Sequence, residues 1–358
     1  MHDRRWYRQP VTIHRVSGAV AVVLAVGLAS GGPVASSQVA RGLVEAKAPG
    51  ALAVSSRGQL YVLDPARDQI LRLVAGGRFR VVAGTGRRGF SGDGGPAVNA
   101  AIAVDEQSGL AVAANGAVYF ADTGNGRVRA VAPNGVITTV AGGGVTVPGV
   151  ARIKASRARF AGIAQVNGLA IGPRGELLVG ANGVYRLANG VLTWLVGSSA
   201  SARNRGFGGY GRNPARQADF VPAVTLAVDG RGDVLVGGGN TWSLYERTPK
   251  GALRFVQGDR AQGGYYAAMA RAPDGSVVLA GGARGLARLL PNGRITAIAA
   301  GSLASVLPGR NHFTVGDGVA VARDGAIYLD NTANNGFSSV GAIVRLDPTG
   351  HATLLWHS

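Results

Sequence analysis

The chain has 358 residues, of which 46% are hydrophobic and 16% charged, so a folded domain with a well-buried core is expected. Cysteine is absent, which excludes disulfide bonds, cysteine-ligated zinc, cysteine nucleophiles and thiol redox chemistry. The formal net charge of +18 is carried almost wholly by arginine and favours association with anionic surfaces, although a GC-rich genome would enrich arginine in the same way.

The first 36 residues have the order of a secretory signal. Four arginines in the first 15 residues precede an uncharged run of small apolar residues at 18–29, which ends at Gly-Gly-Pro and a stretch of small residues. This order is typical of a signal peptide, and the apolar run is short for a bilayer span of about 20 residues. Residues 1–36 are therefore predicted to be a signal peptide, with an uncleaved N-terminal anchor as the alternative. The protein is predicted to be secreted or associated with the cell envelope.

From residue 50 onward the chain repeats one short pattern six times. In each copy an apolar residue is followed six positions later by a glycine, and a second turn glycine comes after it. The clearest copy spans residues 110–144 and reads as four apolar and β-branched runs joined by glycine-containing turns, two of them Asn-Gly. The apolar–glycine pairs are Leu52/Gly58, Leu110/Gly116, Leu169/Gly175, Leu226/Gly232, Met269/Gly275 and Val319/Gly325.

These repeats predict an all-β, six-bladed β-propeller of four-stranded antiparallel blades. Four strands joined by tight turns form a sheet that cannot bury both faces alone, and a repeated sheet of this kind is the mark of a propeller blade. In the clearest copy we expect strands at residues 110–113, 117–121, 127–131 and 136–141. The propeller is predicted to span residues 50–358, with blades at about 51–84, 109–142, 168–197, 225–258, 268–301 and 318–357.

Residues 37–49 are a lead-in to the first blade. We expect that this segment either adds an outer strand to the last blade, which would close the ring, or leaves closure to side-chain packing between blades 1 and 6. Both arrangements are compatible with six repeats that each already contain four strands.

One part of the chain resembles a known family. Residues 89–97 read G-F-S-G-D-G-G-P-A, residues 122–129 read D-T-G-N-G-R-V-R, and residues 139–144 read T-V-A-G-G-G. In this order the three elements resemble the exported bacterial NHL-repeat propellers, except that Gly126 stands where the family pattern has histidine. The resemblance is strong in blade 2 and extends to the rest of the chain only in the strand and glycine skeleton. It implies the propeller fold and says little about activity.

The linkers between blades are predicted to carry the function. Strand direction alternates, so the linkers and the turns between second and third strands share one loop-bearing rim, the linker face, and loops on a rigid scaffold commonly bind ligands. The linker at 89–97 is similar to residues 206–215, and residues 155–160 keep the end of the pattern. We expect a compact linker that packs on the next blade, with ion capture by the glycine-rich loop as the alternative.

Two consecutive linkers, 142–166 and 197–223, collect much of the positive charge. A clustered basic patch raises the local potential for anions, so these linkers predict binding of an anionic surface polymer or a protein partner. Solvated loop charge without a ligand is the alternative. The candidate binding residues are Arg152, Lys154, Arg157, Arg159, Arg203, Arg205, Phe207, Tyr210 and Arg212.

Catalytic chemistry is poorly represented in the sequence. Where the inner strands open onto the central channel, only Asn167 and Asp317 are plausible ligands for a hard cation, and calcium usually takes six to eight oxygens. The histidines after the signal segment are few and late, which argues against a three-histidine zinc site. No nucleophile-elbow, P-loop, zinc-protease, EF-hand or dedicated nucleic-acid-binding motif occurs, and no apolar run beyond the signal segment is long enough to span a membrane.

Two hypotheses of different classes follow. The first is an exported, non-enzymatic, monomeric propeller without a cofactor that binds an anionic polymer or a protein partner through its linker face. The second is a metal-dependent lyase, lactonase or hydrolase that works in the central channel, with calcium held by Asn167 and Asp317.

Overall fold

The structure is a computed structural model of the chain. It describes residues 43–47, 49–146, 148, 152–160, 166–197, 223–238, 243–258, 266–281, 285–298, 303–306, 316, 318–332 and 341–357. The predicted signal segment, residues 1–36, lies outside the described residues. No helix in the described ranges is long and apolar enough to cross a membrane.

The described residues form six antiparallel sheets, which are the blades. Blade 1 contains β1 Leu43–Val44, β2 Leu52–Val54, β3 Leu60–Asp64, β4 Gln69–Leu73 and β5 Phe79–Ala83, and blade 2 contains β6 Leu110–Val112, β7 Val118–Asp122, β8 Arg127–Val131 and β9 Ile137–Gly142. Blade 3 contains β10 Ile153–Lys154, β11 Gly168–Ile171, β12 Leu177–Gly180, β13 Gly183–Ala188 and β14 Val191–Gly197, and blade 4 contains β15 Ala223–Val228, β16 Val234–Gly238, β17 Ser243–Arg247 and β18 Leu253–Gly258. Blade 5 contains β19 Ala268–Arg271, β20 Val277–Ala280, β21 Leu286–Leu289 and β22 Ile295–Ala297, and blade 6 contains β23 Val319–Val321, β24 Ile327–Thr332, β25 Gly341–Leu346 and β26 Ala352–His357. Short helical turns occur at Ala75–Gly77, Ala97–Asn99, Thr123–Asn125, Ala155–Arg157 and Leu303–Val306.

The six sheets form a closed ring. In every sheet the first long strand is innermost and the following strands pair in sequence order toward the outside. The inner strands β2, β6, β11, β15, β19 and β23 contact one another in this order, and β23 contacts β2. The predicted six-bladed propeller is therefore confirmed, and the strands of blade 2 begin and end within one residue of the expected positions.

The turns that join the strands divide between two faces of the ring. The turns between first and second strands (1–2 turns) and between third and fourth strands (3–4 turns) lie on one face, called the turn face, and the linker face is opposite. In the Asn115-Gly116 turn, only the glycine has a positive φ, 89°, and its N–H donates to Ala113 O at 2.9 Å. Because the N–H of Ala113 donates to Ala117 O at 2.9 Å, this is a three-residue loop, residues 114–116, that ends in a left-handed glycine, rather than the two-residue turn that Asn-Gly suggests. In blade 3, Asn189 and Gly190 do both have positive φ, at 50° and 69°.

The ring is closed by side-chain packing between blades 1 and 6. Phe79, which is fully buried, meets the ring of Trp356 edge to face with centroids 6.1 Å apart, and Ile343 and Leu71 belong to the same buried cluster. This arrangement is the second of the two expected for closure. The lead-in does add an outer strand, but to blade 1 rather than to the last blade, because β1 pairs with β5.

Candidate functional site

The glycine-rich linker at residues 89–97 is tied to blade 2 by one buried arginine. Arg129 is fully buried, and its Nη2 donates to Asp93 Oδ1 and to Ser91 O, both at 2.7 Å. Its Nη1 donates to Ala101 O at 3.0 Å and lies 3.6 Å from Oδ2 of the fully buried Asp122. Asp93 is thus used to hold the linker, as expected for a compact linker packed on the next blade.

Both carboxyl groups around Arg129 have displaced pKa values. Burial raises the pKa of Asp122, although the N–H of Ala103, the Asn125 amide and the Arg129 charge oppose it. Partial burial also acts to raise the pKa of Asp93, but hydrogen bonds from Thr139 and Arg129, together with the Arg129 charge, outweigh it and lower the pKa. The linker is therefore held by an ionised, partly exposed carboxylate, while the charge of Asp122 costs free energy to keep buried.

The next linker follows the same path around blade 3. The N–H of Ala97 donates to Gly135 O at 2.8 Å, and the N–H of Ala155 donates to Gly190 O at the same distance, each at the 3–4 turn of the next blade. In blade 3 the two residues of β10 also pair with Val191 and Leu192 of β14, so this linker forms a fifth strand at the outer edge of the sheet. The added strand β10 thereby pairs with backbone N–H and C=O groups of the edge strand β14 that would otherwise be exposed to solvent.

This path determines where the predicted cations lie. Ala155, Ala158 and Phe160 are buried against blades 2 and 3, whereas the four basic side chains of residues 152–159 are exposed. We call these four cations the basic edge. The segment that carries them descends along the outside of blade 3 to the 3–4 turn at Ala155, and it returns toward the linker face at Phe160, whose O lies against Gly126. The residues of the basic edge are Arg152, Lys154, Arg157 and Arg159.

No side chain of the basic edge forms a hydrogen bond or an ion pair with any described residue. Elsewhere in the described chain some arginines are paired locally, as Arg88 is with Asp68 at 3.0 Å and half-buried Arg345 is with Asp324 at 2.8 Å. Other exposed arginines, such as Arg57 and Arg323, form no ion pair with a described residue either, so the basic edge is distinguished by having four such cations on one short segment. Within the described part of the chain, the positive charge of the basic edge therefore has no counter-charge. The other predicted binding residues lie outside the described residues: Arg203, Arg205, Phe207, Tyr210 and Arg212.

The aromatic ring of Phe90, in the glycine-rich linker at residues 89–97, was not predicted as part of the site. Phe90 is 45% exposed, and the guanidinium of Arg127 lies 3.9 Å from its ring centroid. Arg127 also donates from Nη1 to Asn125 O at 2.7 Å. Stacking of this kind holds a guanidinium in place without neutralising it. The sequence feature that could have indicated this stacking is the phenylalanine of the glycine-rich motif.

Gly126 explains the departure from the histidine of the resembled pattern. Its φ is 60°, and a Cβ at this position would lie 2.4 Å from Phe160 O, well inside contact distance. The linker to blade 3 therefore passes over a position where a side chain is excluded. Glycine here is required by the close approach of Phe160.

Two residues were predicted as ligands of a hard cation at the linker-face end of the channel, and of these Asn167 lies within the described residues. It is 4% exposed, its N–H donates to Gly180 O at 3.0 Å, and its Oδ1 is buried without a hydrogen-bond partner within the described part of the chain. Ser108, at the equivalent opening of blade 2, is occupied by a 2.5 Å hydrogen bond with Thr123 Oγ1. Asp317 lies outside the described residues. One available oxygen does not fit calcium, which takes six to eight.

A cluster of acids in blade 4 was missed by sequence reasoning. Carboxylate oxygens of Asp229, Asp233 and Glu246, all buried, lie within 4.8 Å of one another. Arg231 Nε lies 3.0 Å from Asp229 Oδ2, its Nη2 lies 3.0 Å from Asp233 Oδ2, and both Arg231 and Arg254 pair with Glu246. Two guanidiniums already occupy the oxygens, so the cluster is a closed ion-pair network. Its signal was the run Asp-Gly-Arg-Gly-Asp at 229–233.

Two carboxyl groups of the network have displaced pKa values. Burial, a hydrogen bond with Glu246 and the neighbouring negative charges raise the pKa of Asp233 to about 6. Burial likewise acts to raise the pKa of Glu246, but hydrogen bonds from Asp233 and Arg254 and the charges of both arginines lower it overall. Asp233 is thus the carboxyl group of this pair that takes up a proton first as the pH falls.

Comparison with solved structures identifies the same architecture in other proteins. Virginiamycin B lyase from Staphylococcus aureus is 11% identical, with a TM-score of 0.52 over 87% of this chain and 86% of that chain. A streptogramin B lyase is 12% identical, with a TM-score of 0.52 over 87% of this chain and 83% of that chain. At these identities the likeness shows the fold alone. No family model matches the chain, and no curated protein sequence matches it significantly.

Proposed function

We propose that this chain is an exported propeller of the NHL type that acts as a binding scaffold and recognises an anionic polymer through the basic edge. The single observation that carries the proposal is that Arg152, Lys154, Arg157 and Arg159 are exposed on one continuous segment and have no counter-charge among the described residues. Four unpaired cations on a fixed edge raise the encounter rate and the local concentration of a polyanion.

The architecture supports a rigid presentation of these cations. The buried side chains of Ala155, Ala158 and Phe160 anchor the segment between blades 2 and 3, and β10 pairs with β14. A ligand therefore does not have to order the backbone of this segment, which reduces the entropic cost of binding. Because such charge–charge attraction is screened by salt, binding is expected to weaken steeply as ionic strength rises.

The proposal is tested by retention on a heparin resin eluted with a salt gradient. The variant in which all four basic-edge residues are alanine is expected to elute at clearly lower salt than the wild type. A matched control removes four other exposed cations, on the turn face, and has the same net charge. Equal retention of the two variants would show that only net charge matters and would overturn the proposal. The control residues are Lys250, Arg271, Arg294 and Arg323.

Export is tested separately on the full chain. Cells that express it are fractionated, and we expect the protein in the medium or the envelope fraction, because residues 1–36 have the order of a signal peptide. A protein that stays in the cytoplasm would contradict the exported scaffold.

A second candidate is a hydrolytic or lyase activity in the channel, favoured by the unpartnered buried oxygen of Asn167. This oxygen would supply one ligand of a hard cation, and Asp317 and further oxygens would be needed to complete a calcium site. The described openings supply too few oxygens to derive a catalytic step. Calorimetric titration with Ca²⁺ tests the idea: stoichiometric uptake that is lost in both Asn167→Ala and Asp317→Ala would favour it over the scaffold.

A further inference from the structure

Blades 5 and 6 carry the same ion pair at the same place on the turn face. In blade 5, Asp274 Oδ2 lies 2.8 Å from Arg288 Nη1, and in blade 6, Asp324 Oδ2 lies 2.8 Å from Arg345 Nη2. Each aspartate immediately precedes the glycine of the 1–2 turn, and each arginine lies on the third strand. The pair therefore joins the 1–2 turn to the third strand within one blade.

Blade 4 has the same pair with the charges exchanged. Arg231 precedes the turn glycine and pairs with Glu246 on the third strand. In blade 2 the two positions hold Asn115 and Ala130, which carry no charge. Four of the six blades therefore keep this pair of positions either ion-paired or neutral.

In blades 1 and 3 both positions hold arginine. Arg72 lies opposite Tyr61 on the second strand, just as Arg345 lies opposite Tyr328 in blade 6. Arg186 of blade 3 lies opposite Leu178, in the register of Arg288 opposite Val278. The turn glycines that follow Arg57 and Arg174 have φ values of 76° and 79°, close to the 81° and 84° of blades 5 and 6. The backbone therefore places Arg57 with Arg72, and Arg174 with Arg186, where other blades have opposite charges.

Among the described residues, no carboxylate forms an ion pair with these four arginines. No side chain of the four forms an ion pair with a described residue, and Arg186 Nε is buried without a hydrogen-bond partner in the described part of the structure. A buried donor left unpaired costs about 1–3 kcal/mol. Glu176 lies in the blade 3 turn, but its Oε2 accepts the backbone N–H of Arg174 at 2.9 Å. Its carboxylate pairs with no guanidinium of the described chain.

A third arginine is placed near each pair. In blade 1, Arg80 lies directly opposite Arg72 across β4 and β5, a position in which like charges repel. In blade 3, Arg247 reaches across from blade 4 and donates from Nε to Leu195 O at 3.0 Å. Burial lowers the pKa of Arg247, and the charge of Arg186 lowers it further, so the two guanidiniums repel each other. Both clusters would be stabilised by an anion.

We propose that blades 1 and 3 each carry an oxyanion-binding site on the turn face, in which a carboxylate, phosphate or sulfate group binds between Arg57 and Arg72 and between Arg174 and Arg186. The ligand oxygen atoms take the place that the aspartate carboxylates fill in blades 5 and 6. The planar guanidinium group suits a two-oxygen contact with such anions. The blade 1 site is in a different blade from the basic edge, and the blade 3 site shares its sheet but uses none of its residues. This inference therefore does not rest on the proposed function.

The chain offers an internal test, because a single arginine-to-aspartate substitution in blade 1 or blade 3 creates there the same ion pair that blade 6 has. We expect wild-type protein titrated with inorganic phosphate in a calorimeter to bind two equivalents, Arg57→Asp and Arg174→Asp one equivalent each, and the double variant none. Loss of one guanidinium should weaken the remaining contact at that site at least about ten-fold. Arg323→Asp, an exposed residue beside Asp324 on the same face, is the matched control and should keep both sites.

The outcomes separate the source of the anion from failure of the inference. If phosphate does not bind but heparin does, and heparin binding falls in the double variant and not in Arg323→Asp, the oxyanion belongs to a polymer. If the control weakens binding as much as the double variant, or if neither probe binds, the inference is wrong. Asp324→Arg provides a gain-of-function arm, because it creates a third two-arginine position and should add one phosphate equivalent. Circular dichroism of each variant establishes that the propeller is folded.

Discussion

Replacing Arg129 by methionine is the most informative single perturbation of the fold. The guanidinium makes hydrogen bonds with Asp93, Ser91 and Ala101 and lies 3.6 Å from the carboxylate of Asp122, and the arginine and Asp122 are both fully buried. Methionine keeps most of the apolar volume but leaves Asp122 buried without its ion partner. Breaking a buried pair in this way costs about 3–5 kcal/mol, a large part of a total stability of about 5–15 kcal/mol.

The loss is measured as the free energy of unfolding in urea for Arg129→Met against wild type. Arg127→Met is the matched control: it lies two residues away on β8, but its guanidinium is partly exposed and stacks on Phe90. We expect a loss of about 1 kcal/mol or less for this control. A second substitution, Asp122→Asn, should recover part of the loss in the Arg129→Met background, because it removes the buried charge.

The same reasoning predicts how the loss depends on pH. Burial already raises the pKa of Asp122, and removing Arg129 takes away a charge that opposes this rise. The folded variant then binds a proton more tightly than the unfolded chain, so its destabilisation should be largest at neutral pH and shrink as Asp122 becomes protonated. A loss no larger than that of Arg127→Met, or one that is unchanged on acidification, would refute the assignment of the cost to the buried carboxylate.

Two further predictions concern blade 4 and the ring closure. The pKa of Asp233 is raised to about 6 from its ordinary value of 3.8, so the folded state holds this proton more tightly than the unfolded chain does. The contribution of Asp233 to stability should therefore fall as pH rises through this interval, and Asp233→Asn should remove that slope when urea unfolding is measured at a series of pH values. A slope that persists in the variant would point to another group. Trp356→Ala should cost about 3–5 kcal/mol, because a buried ring that packs on Phe79 is lost. Native-state hydrogen exchange should then speed up in blades 1 and 6 but not in blade 3, and uniform acceleration would contradict closure at this seam.

The fold was predictable because its main signal is periodic. The turn glycines recur at a fixed distance from an apolar strand opener, and in the structure Gly58, Gly116 and their equivalents all have positive φ. Such a position tolerates few other residues, so the pattern survives where the strand sequences diverge. The fifth strand β10 was not predicted, and β1 was expected on the last blade rather than on blade 1, because two residues that pair only at an outer edge carry no alternation that could be recognised.

The candidate site was predictable only in part. The charge of residues 152–159 is visible in the sequence, but the descent along the outer edge of blade 3 depends on the pairing of β10 with β14. The partnership of Arg129 with Asp93 joins residues 36 positions apart, and nothing local to either residue indicates it. The acids of blade 4 come together across two turns of one sheet in the same way.

The turn-face positions show why the repeats are informative beyond the fold. Among the six blades the same two backbone positions hold opposite charges, like charges or no charge, while the flanking apolar residues, such as Val62, Leu279 and Leu329, are buried throughout. The ring is therefore stabilised by packing that is indifferent to these charges, since exposed ion pairs contribute at most about 1 kcal/mol. Where the arrangement is electrostatically unfavourable, as at Arg57 and Arg72, the fold itself gives no reason for it. An external anion supplies one, and the restored pair in Arg57→Asp should then gain stability in buffer while losing the stabilisation that phosphate gives the wild type.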